Sequence, residues 1–260
     1  MSTQLIRKRS QAEEELAARV EELKALQAEL AEQELSLTTL LAELAVFQAR
    51  YLREVGSLYA ELDEWSAKIA ELLAQRDGTR QTRSAASEAR EQAERSAGAV
   101  RTETTQPPEF KPSVSIKRLY REVARMVHPD LATDDIDRAR RERLMADANA
   151  AYQRGDVEAL KRILDDYESN HETTRLKNFA VELERVMRLI RQVRSRLSQI
   201  EQQLTAFHSS RLADLKARTE AARIEGRDLL AEMAADLRKR IATAHLRFDS
   251  LSISHEICEQ

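Results

Sequence analysis

The positions of proline and glycine constrain the fold of this chain more than any other feature. All four prolines fall within residues 107–129, and the 260 residues include only five glycines. An average globular chain of this length carries about 18 glycines and about 13 prolines, which serve mainly in turns. The pattern therefore excludes a β-sandwich, a barrel and a doubly wound nucleotide-binding fold. It predicts an all-α chain with long helices on either side of a short interrupted centre.

Residues 1–76 carry an apolar residue at every seventh position from Leu16 to Leu72. Such a repeat is typical of a left-handed coiled coil, and a single thin helix cannot bury its own stripe, so we expect a partner helix. A companion register, four residues further on, is apolar at five of eight positions and polar at Gln27, Glu34 and Gln48. These polar residues weaken the first half of the stripe and predict a fixed register or orientation. The leucines expected at this interface are Leu16, Leu23, Leu30, Leu37, Leu44 and Leu58.

Residues 171–252 form a second predicted coiled coil, followed by a tail at 253–260. Apolar pairs repeat through five heptads, and the register then shifts past Phe207, which predicts a local unwinding of the supercoil. The expected interface residues are Leu176, Leu183, Ile190, Leu197 and Leu204. The two arms either pair antiparallel within one chain or self-associate as parallel dimers, and the sequence leaves both arrangements open.

Residues 77–112 lose the heptad pattern and predict a flexible linker, weakly helical or disordered, with no role beyond spacing. The following centre, residues 113–168, predicts a small helical hairpin. Its first helix ends at His128, because Pro129 disfavours the helical conformation of the residue before it. A second helix is expected over 135–153 and a third over 157–167. The tripeptide His-Pro-Asp at 128–130 is then expected to lie exposed at the bend.

This centre resembles the J-domain, the module of DnaJ-type co-chaperones. His-Pro-Asp between two helices is the family's signature, and Tyr120-Arg121 stands where the family has its Tyr-Arg or Tyr-Lys pair. Downstream, Asn149-Ala150-Ala151-Tyr152 matches the family's Asn-x-Ala-Tyr. The resemblance covers about residues 113–156, or about a sixth of the chain. It implies a co-chaperone or adaptor that recruits a DnaK-type chaperone to a client bound by the coiled coils and stimulates its ATP hydrolysis.

In the family, a basic helical face and the tripeptide together engage an acidic surface of the chaperone. The matching residues of this chain are Lys117, Arg118, Tyr120, Arg121, Arg125, His128, Pro129 and Asp130. Several positions depart from the family pattern. The family's first helix has no counterpart, Glu122 stands where a basic residue is usual, and Leu131 replaces another common basic residue. Because like charges across an interface oppose association, Glu122 is expected to weaken docking.

Other functions stay open at this point. A structural scaffold, in which the J-like hairpin is only a folding or protein-interaction module, is the main alternative. A weaker one is an accessory factor that binds nucleic acid through the arginines at 185–196, although the net charge of −3 does not favour that partner. Catalysis is not expected, because no second histidine, cysteine or carboxylate cluster stands at ligand spacing from His128. Asp130 could form half of a catalytic dyad with His128, but Pro129 holds the two on a turn and no nucleophile is implied.

The remaining expectations concern location, ligands and partners. No apolar run is long enough for a membrane span and the start does not have the form of a secretory signal, so we expect a cytoplasmic protein with no membrane partner. Cys258 is the only cysteine, which leaves no pair for a disulfide or a cysteine-based zinc site. Neither a cofactor nor a metal is predicted, and the client protein is not identifiable.

Overall fold

The computed structural model describes residues 11–102, 110–170 and 179–258. Almost all of these residues are helical, and none of them forms a strand, so the prediction of an all-α fold is confirmed. In the described part of the chain, no helix carries an apolar stretch that could cross a bilayer. The helices are α1 (Gln11–Tyr51), α2 (Ser57–Asp77), α3 (Arg80–Thr102), α4 (Val114–Val127), α5 (Asp135–Arg154), α6 (Val157–Asn170), α7 (Phe179–His208), α8 (Arg211–Ile224) and α9 (Leu229–Cys258).

The chain divides into two compact units, each built from segments that are distant in sequence. The first unit comprises Met1–Glu43 and Glu109–Ser209, and the second comprises Leu44–Pro108 and Ser210–Gln260. Residues of α1 therefore belong to both units. This division differs from the predicted one, which assigned one coiled coil to each arm, because an apolar stripe in a sequence does not show which segment covers it.

In the first unit, α1 and α7 pack side by side along the predicted stripe. Leu23, Leu30, Leu37 and Ile190 are buried in one cluster, as expected for an interface. Leu16, Leu197 and Leu204 are partly buried against that cluster, and Leu183 is partly buried as well. Two predicted interface residues, Leu44 (buried) and Leu58 (partly buried), belong to the second unit. Leu176 lies outside the described residues.

Helices α1 and α7 run in the same direction. Arg194 Nη2 donates to Glu22 Oε1 at 2.6 Å, whereas Leu40, further along α1, lines a groove with His208, further along α7. Antiparallel pairing within one chain, one of the two arrangements that the sequence left open, is therefore not the arrangement in this structure. The antiparallel alternative assumed that residues 77–112 are a weakly helical or disordered spacer, whereas a packed helix in this segment adds one reversal of chain direction.

That helix is α3, which packs antiparallel against α2 in the second unit. Arg90 Nε donates to Glu71 Oε1 at 2.7 Å, and Ser96 Oγ donates to Asp63 Oδ2 at 2.5 Å. Residues 80–102 thus form a helix and not the predicted flexible linker. The heptad pattern is missing because α3 buries small residues, with Ala86 and Ala93 facing the interior in place of leucines.

The second unit also corrects the predicted continuity of both arms. A single π-helical turn, Leu52–Gly56, separates α1 from α2. The C-terminal arm is interrupted twice: Ser210 caps α8 by accepting from the Ala213 amide at 3.2 Å, and Gly226 adopts φ +78° after α8. The register shift past Phe207 therefore reflects the end of α7 and the start of α8, and not an unwound supercoil. Residues of α8 and α9 share a core with Phe47, Val55 and Leu62.

The helices of the predicted J-like module begin and end close to the expected residues. Ser113 Oγ accepts from the Ile116 amide at 3.3 Å and caps α4, which ends at Val127 as Pro129 requires. A short 3₁₀ turn, Pro129–Leu131, leads to α5, which ends at Gly155 with φ +72°. Helix α6 follows and closes a core around Tyr120, Tyr152 and Leu160.

Candidate functional site

The His-Pro-Asp loop is the candidate site, and its histidine lies inside the first unit. Only 2 % of His128 is exposed, which corrects the prediction that the tripeptide is exposed at the bend. His128 Nδ1 accepts from the Asp130 amide at 3.1 Å, so a neutral ring carries its proton on Nε2. Nε2 lies 3.0 Å from Glu34 Oε1 in α1, and the ring therefore donates to this carboxylate.

Glu34 joins the loop to both long helices of the unit. Besides His128, its Oε1 accepts from Arg196 Nε of α7 at 2.8 Å, and only 4 % of Glu34 is exposed. Burial alone raises the pKa of a carboxyl group, but the hydrogen bond from His128 and the charge of Arg196 outweigh it here, so the pKa of Glu34 lies below its usual value. Glu34 is thus held as a carboxylate between two donors.

Leu131 attaches the same loop to the stripe between α1 and α7. Its side chain is buried in one cluster with Leu30, Leu37 and Val193. A basic residue at this position would place a charge in an apolar cluster, at a cost of several kcal/mol unless the charge were paired. The departure from the J-domain pattern at Leu131 therefore has a structural reason in this chain.

The tyrosines of the resemblance also contact α1. Tyr120 is fully buried, donates to Asn149 Oδ1 at 2.6 Å and lies 3.0 Å from Thr38 Oγ1. Burial raises the pKa of this phenol far above its usual value, so it remains a neutral donor. Tyr152 Oη lies 2.9 Å from the hydroxyl of the next α1 residue, Thr39.

Arg141 holds the loop against the rest of the module. This buried side chain donates from Nη1 to the carbonyl of Met126 at 2.8 Å, and from Nη2 to the hydroxyl of Tyr167 at 2.6 Å. Its Nε donates to Asp137 Oδ2 at 2.9 Å, which balances the buried charge. The end of α4 is thereby fixed to α5 and to α6.

The other predicted docking residues differ in exposure. Arg118 and Arg125 are exposed on α4, whereas Lys117, Pro129 and Asp130 are partly buried. Arg121 is also partly buried, and its Nη1 donates to Glu32 Oε2 of α1 at 3.1 Å. The structure therefore brings the predicted docking residues together on one small module, but α1 covers the part of them that contains Tyr120 and His128.

No protein-family model matches the chain, and neither a curated protein nor a solved structure matches it significantly. The similarity to the J-domain therefore rests on the motif residues alone. The geometry around His128 is the remaining basis for a functional argument.

The described residues offer this site little further chemistry. Both ring nitrogens of His128 already have partners, Asp130 and Glu34, and the ring is shielded from solvent. Among the residues that the structure describes, no group of three histidine, cysteine or acidic side chains is arranged to hold a metal ion. What this arrangement can do is fasten one module to two long helices.

Sequence reasoning identified the loop but missed its partners. The sequence could have predicted a buried partner for Glu34, since a carboxylate in a heptad register needs a hydrogen-bond donor if it is to be buried in the apolar stripe. Arg196 was recognised only as one of several arginines on α7, and three of these, Arg185, Arg194 and Arg196, form ion pairs within the unit. Arg141 carried no signal, because a charged residue in a polar helix looks like a surface residue.

Proposed function

We propose that this protein is a non-catalytic helical adaptor or scaffold, in which the J-like module fastens the N-terminal helix to α7. The observation that carries this proposal is the buried contact of His128 with Glu34, which also receives Arg196. A loop histidine that is 2 % exposed is not available to a partner in this conformation. The module acts here as an internal clamp between helices.

The residues that carry the J-domain resemblance support the same proposal. Tyr120, Asn149 and Tyr152 meet Thr38 and Thr39 of α1 through their polar atoms. Buried polar side chains that are all paired specify one arrangement, because any other arrangement would leave some of them unsatisfied. The part of the family's docking surface that contains Tyr120 is therefore engaged within this chain.

Recruitment of a DnaK-type chaperone is the second candidate function. It is favoured by Arg118 and Arg125, which remain exposed on α4, and by Asp130, whose side chain is 22 % exposed. This function would require that His128 separate from Glu34, because a partner cannot reach the buried histidine while the two are in contact. Nucleic-acid binding has less support, because ion pairs neutralise much of the basic stretch on α7.

Single-turnover ATP hydrolysis by a DnaK-type chaperone distinguishes these candidates. Four full-length proteins would be compared: wild type, His128→Gln, Glu34→Ala to free the loop, and Glu29→Ala as an exposed carboxylate control on the same helix. The adaptor proposal expects no stimulation from any of them. Stimulation by wild type that is lost in His128→Gln would overturn it. Stimulation by Glu34→Ala alone would show that the second candidate function is present but blocked in the wild-type protein by the contact between His128 and Glu34.

A further inference from the structure

The second unit contains a groove that is independent of the His128 network. It lies between α3 and the helical segment that includes the π turn, and its volume of about 330 Å³ is in the range of small-molecule sites. Leu52 and Val100 contribute to an apolar wall. Within the described residues, no lysine, arginine or histidine lines the groove. Its polar lining consists of two phenols, one carboxylate, one amide and one hydroxyl, from Tyr51, Tyr59, Asp63, Gln92 and Ser96.

The five tyrosines of the chain differ in what their hydroxyls contact. Those of Tyr120, Tyr152 and Tyr167 all lie within hydrogen-bond distance of side chains in the first unit. The other two, Tyr51 and Tyr59, both line the groove, and in the part of the chain that the structure describes neither hydroxyl has a hydrogen-bond partner. Tyr51 is half-buried and Tyr59 is 37 % exposed. Both phenols can therefore bind a ligand without breaking a contact within the described residues.

The π turn explains why these two tyrosines share the groove. The amide of Ser57 donates to the carbonyl of Leu52, five residues earlier, so the turn takes up one residue more than an α-helical turn. In an α-helix, residues eight apart point about 80° away from each other, whereas residues seven apart differ by about 20°. The additional residue thus returns Tyr59 to the face of Tyr51. Asp63 follows one α-helical turn later on the same face.

Asp63 is a carboxylate with neutral partners only. Its Oδ2 accepts from Ser96 Oγ at 2.5 Å and from Gln92 Nε2 at 3.2 Å. Among the described residues, no group donates to Oδ1 and no cation pairs with this side chain. The next residue, Glu64, is instead paired with Arg90 at 2.8 Å. An ionised carboxylate accepts on both oxygens, so Asp63 retains an unused acceptor and an uncompensated negative charge.

We propose that this groove binds a small molecule that carries a primary ammonium group on a short alkyl chain. An ammonium group has three donors, and three acceptors are unused here: Asp63 Oδ1 and the hydroxyl oxygens of Tyr51 and Tyr59. The faces of the two phenol rings attract a cation as well. The alkyl chain would pack against Leu52 and Val100.

The charge of the lining excludes other classes of ligand. An anion would be repelled by Asp63, because no cation of the lining offsets it. A calcium ion requires six or more oxygen ligands, usually with several carboxylates, and Asp63 is the only carboxylate among the described lining residues. The larger groove between α1 and α7 makes no such selection, since its lining mixes Glu29 and Glu201 with Arg194.

Ligand-observed saturation-transfer NMR on the full-length protein tests the proposal with three probes of equal chain length. These are n-pentylammonium, pentan-1-ol and pentanoate. We expect saturable binding of n-pentylammonium that weakens as salt is added. Pentan-1-ol should bind at least about tenfold more weakly, because it lacks the charge-assisted hydrogen bond to the carboxylate, and pentanoate should not bind.

Three variants connect binding to the lining. Asp63→Asn removes the charge and should weaken binding of n-pentylammonium at least about tenfold. Tyr59→Phe removes one acceptor and no hydrogen bond to a described residue, so it should weaken binding about threefold or more while the helices remain intact by circular dichroism. Glu61→Gln is the matched control, since Glu61 is an exposed carboxylate of α2 that does not line the groove.

Several results would overturn the proposal. These are no saturable binding of n-pentylammonium, equal affinity for pentan-1-ol, and an equal effect of Glu61→Gln and Asp63→Asn. Unchanged affinity in Tyr59→Phe would overturn the role of the phenols even if Asp63→Asn disturbed the packing of α3. Tighter binding of a blocked lysine tripeptide than of n-pentylammonium would assign the groove to a lysine side chain of a protein instead of a small molecule. None of these outcomes depends on the ATP hydrolysis assay, because all the substitutions lie outside the first unit.

Discussion

At the scale of single residues, Glu34 decides how the first unit is assembled. Its carboxylate accepts from His128 and Arg196, which belong to different parts of the chain. A buried carboxylate with two donors is favourable only while both are in place, and the loss of either would leave an uncompensated charge. One polar position in an apolar stripe therefore specifies both the neighbouring helix and the module that lies over it.

The lowered pKa of Glu34 predicts an acid-dependent loss of stability in this region. A carboxyl group with a depressed pKa contributes stability above its ordinary pKa of 4.5, and that contribution disappears as the pH falls through the lower folded value. Glu34→Gln removes the charge, so we expect α4 and the loop at 128–131 to be destabilised by about 2 kcal/mol at pH 7. Wild type and variant should converge at pH values well below 4.5.

Hydrogen–deuterium exchange of peptides from residues 114–131 measures this effect locally, after correction for the intrinsic pH dependence of exchange. The difference between wild type and Glu34→Gln isolates this carboxyl group from others that titrate over the same range. Glu29→Gln changes an exposed carboxylate of the same helix and should have no effect. A difference between wild type and Glu34→Gln that persisted undiminished at low pH would contradict the assignment.

At the scale of elements, α1 shows what a heptad pattern reveals and what it leaves out. The predicted stripe of Leu23, Leu30 and Leu37 is buried with α7. A second face of the same helix, with Ala31 and Leu35, is buried in the core of the J-like module. The second face was not predicted, because alanine and isolated leucines beside a strong stripe are also common on exposed surfaces.

Helix ends in the central module could be predicted, since they depend on local chemistry. Pro129, Gly155 and the serine cap at Ser113 act through the backbone of their own neighbours, and the structure places the ends within about a turn of the expected residues. Helix α3 could not be predicted in the same way. It is held by Arg90 and by small residues such as Ala93, which stabilise the helix only when α2 is packed beside them.

Helix α3 therefore predicts a sharp sensitivity to side-chain size. Ala93 is 3 % exposed, and Ala93→Leu would force extra volume into a close contact, at a cost of about 1–3 kcal/mol. We expect faster tryptic cleavage at the exposed Arg83 and Arg95 as α3 separates from its neighbours. Ala85→Leu is the control, because Ala85 is exposed on the same helix and should tolerate the larger side chain. Equal cleavage of the two variants would show that the packing of α3 does not depend on Ala93.

At the scale of the whole molecule, each compact unit combines an N-terminal helix with a C-terminal one. Glu22 with Arg194 marks this pairing in the first unit, and Tyr51 with Leu230 marks it in the second. The sequence predicted that the arms need partners, because their stripes cannot stay in water, but it left open which partner and in which direction. The relative direction of the paired helices depends on how many times the intervening chain reverses. The polar sequence of α3 did not indicate the reversal that this helix adds.

The shared direction of α1 and α7 can be tested by cross-linking in a background in which Cys258 is replaced by serine. Two cysteine pairs, Glu22→Cys with Arg194→Cys and Leu40→Cys with His208→Cys, should react within one chain with a short bis-maleimide. The exchanged pairs, 22 with 208 and 40 with 194, should not react. Residues 22 and 40 are about 27 Å apart along a helix, so neither exchanged pair can meet within one chain. Linkage of the exchanged pairs would indicate an antiparallel arrangement. A product with the mass of two chains, abolished by dilution, would indicate that the pairing joins separate copies, and the internal clamp built on His128 and Glu34 would then have to be abandoned.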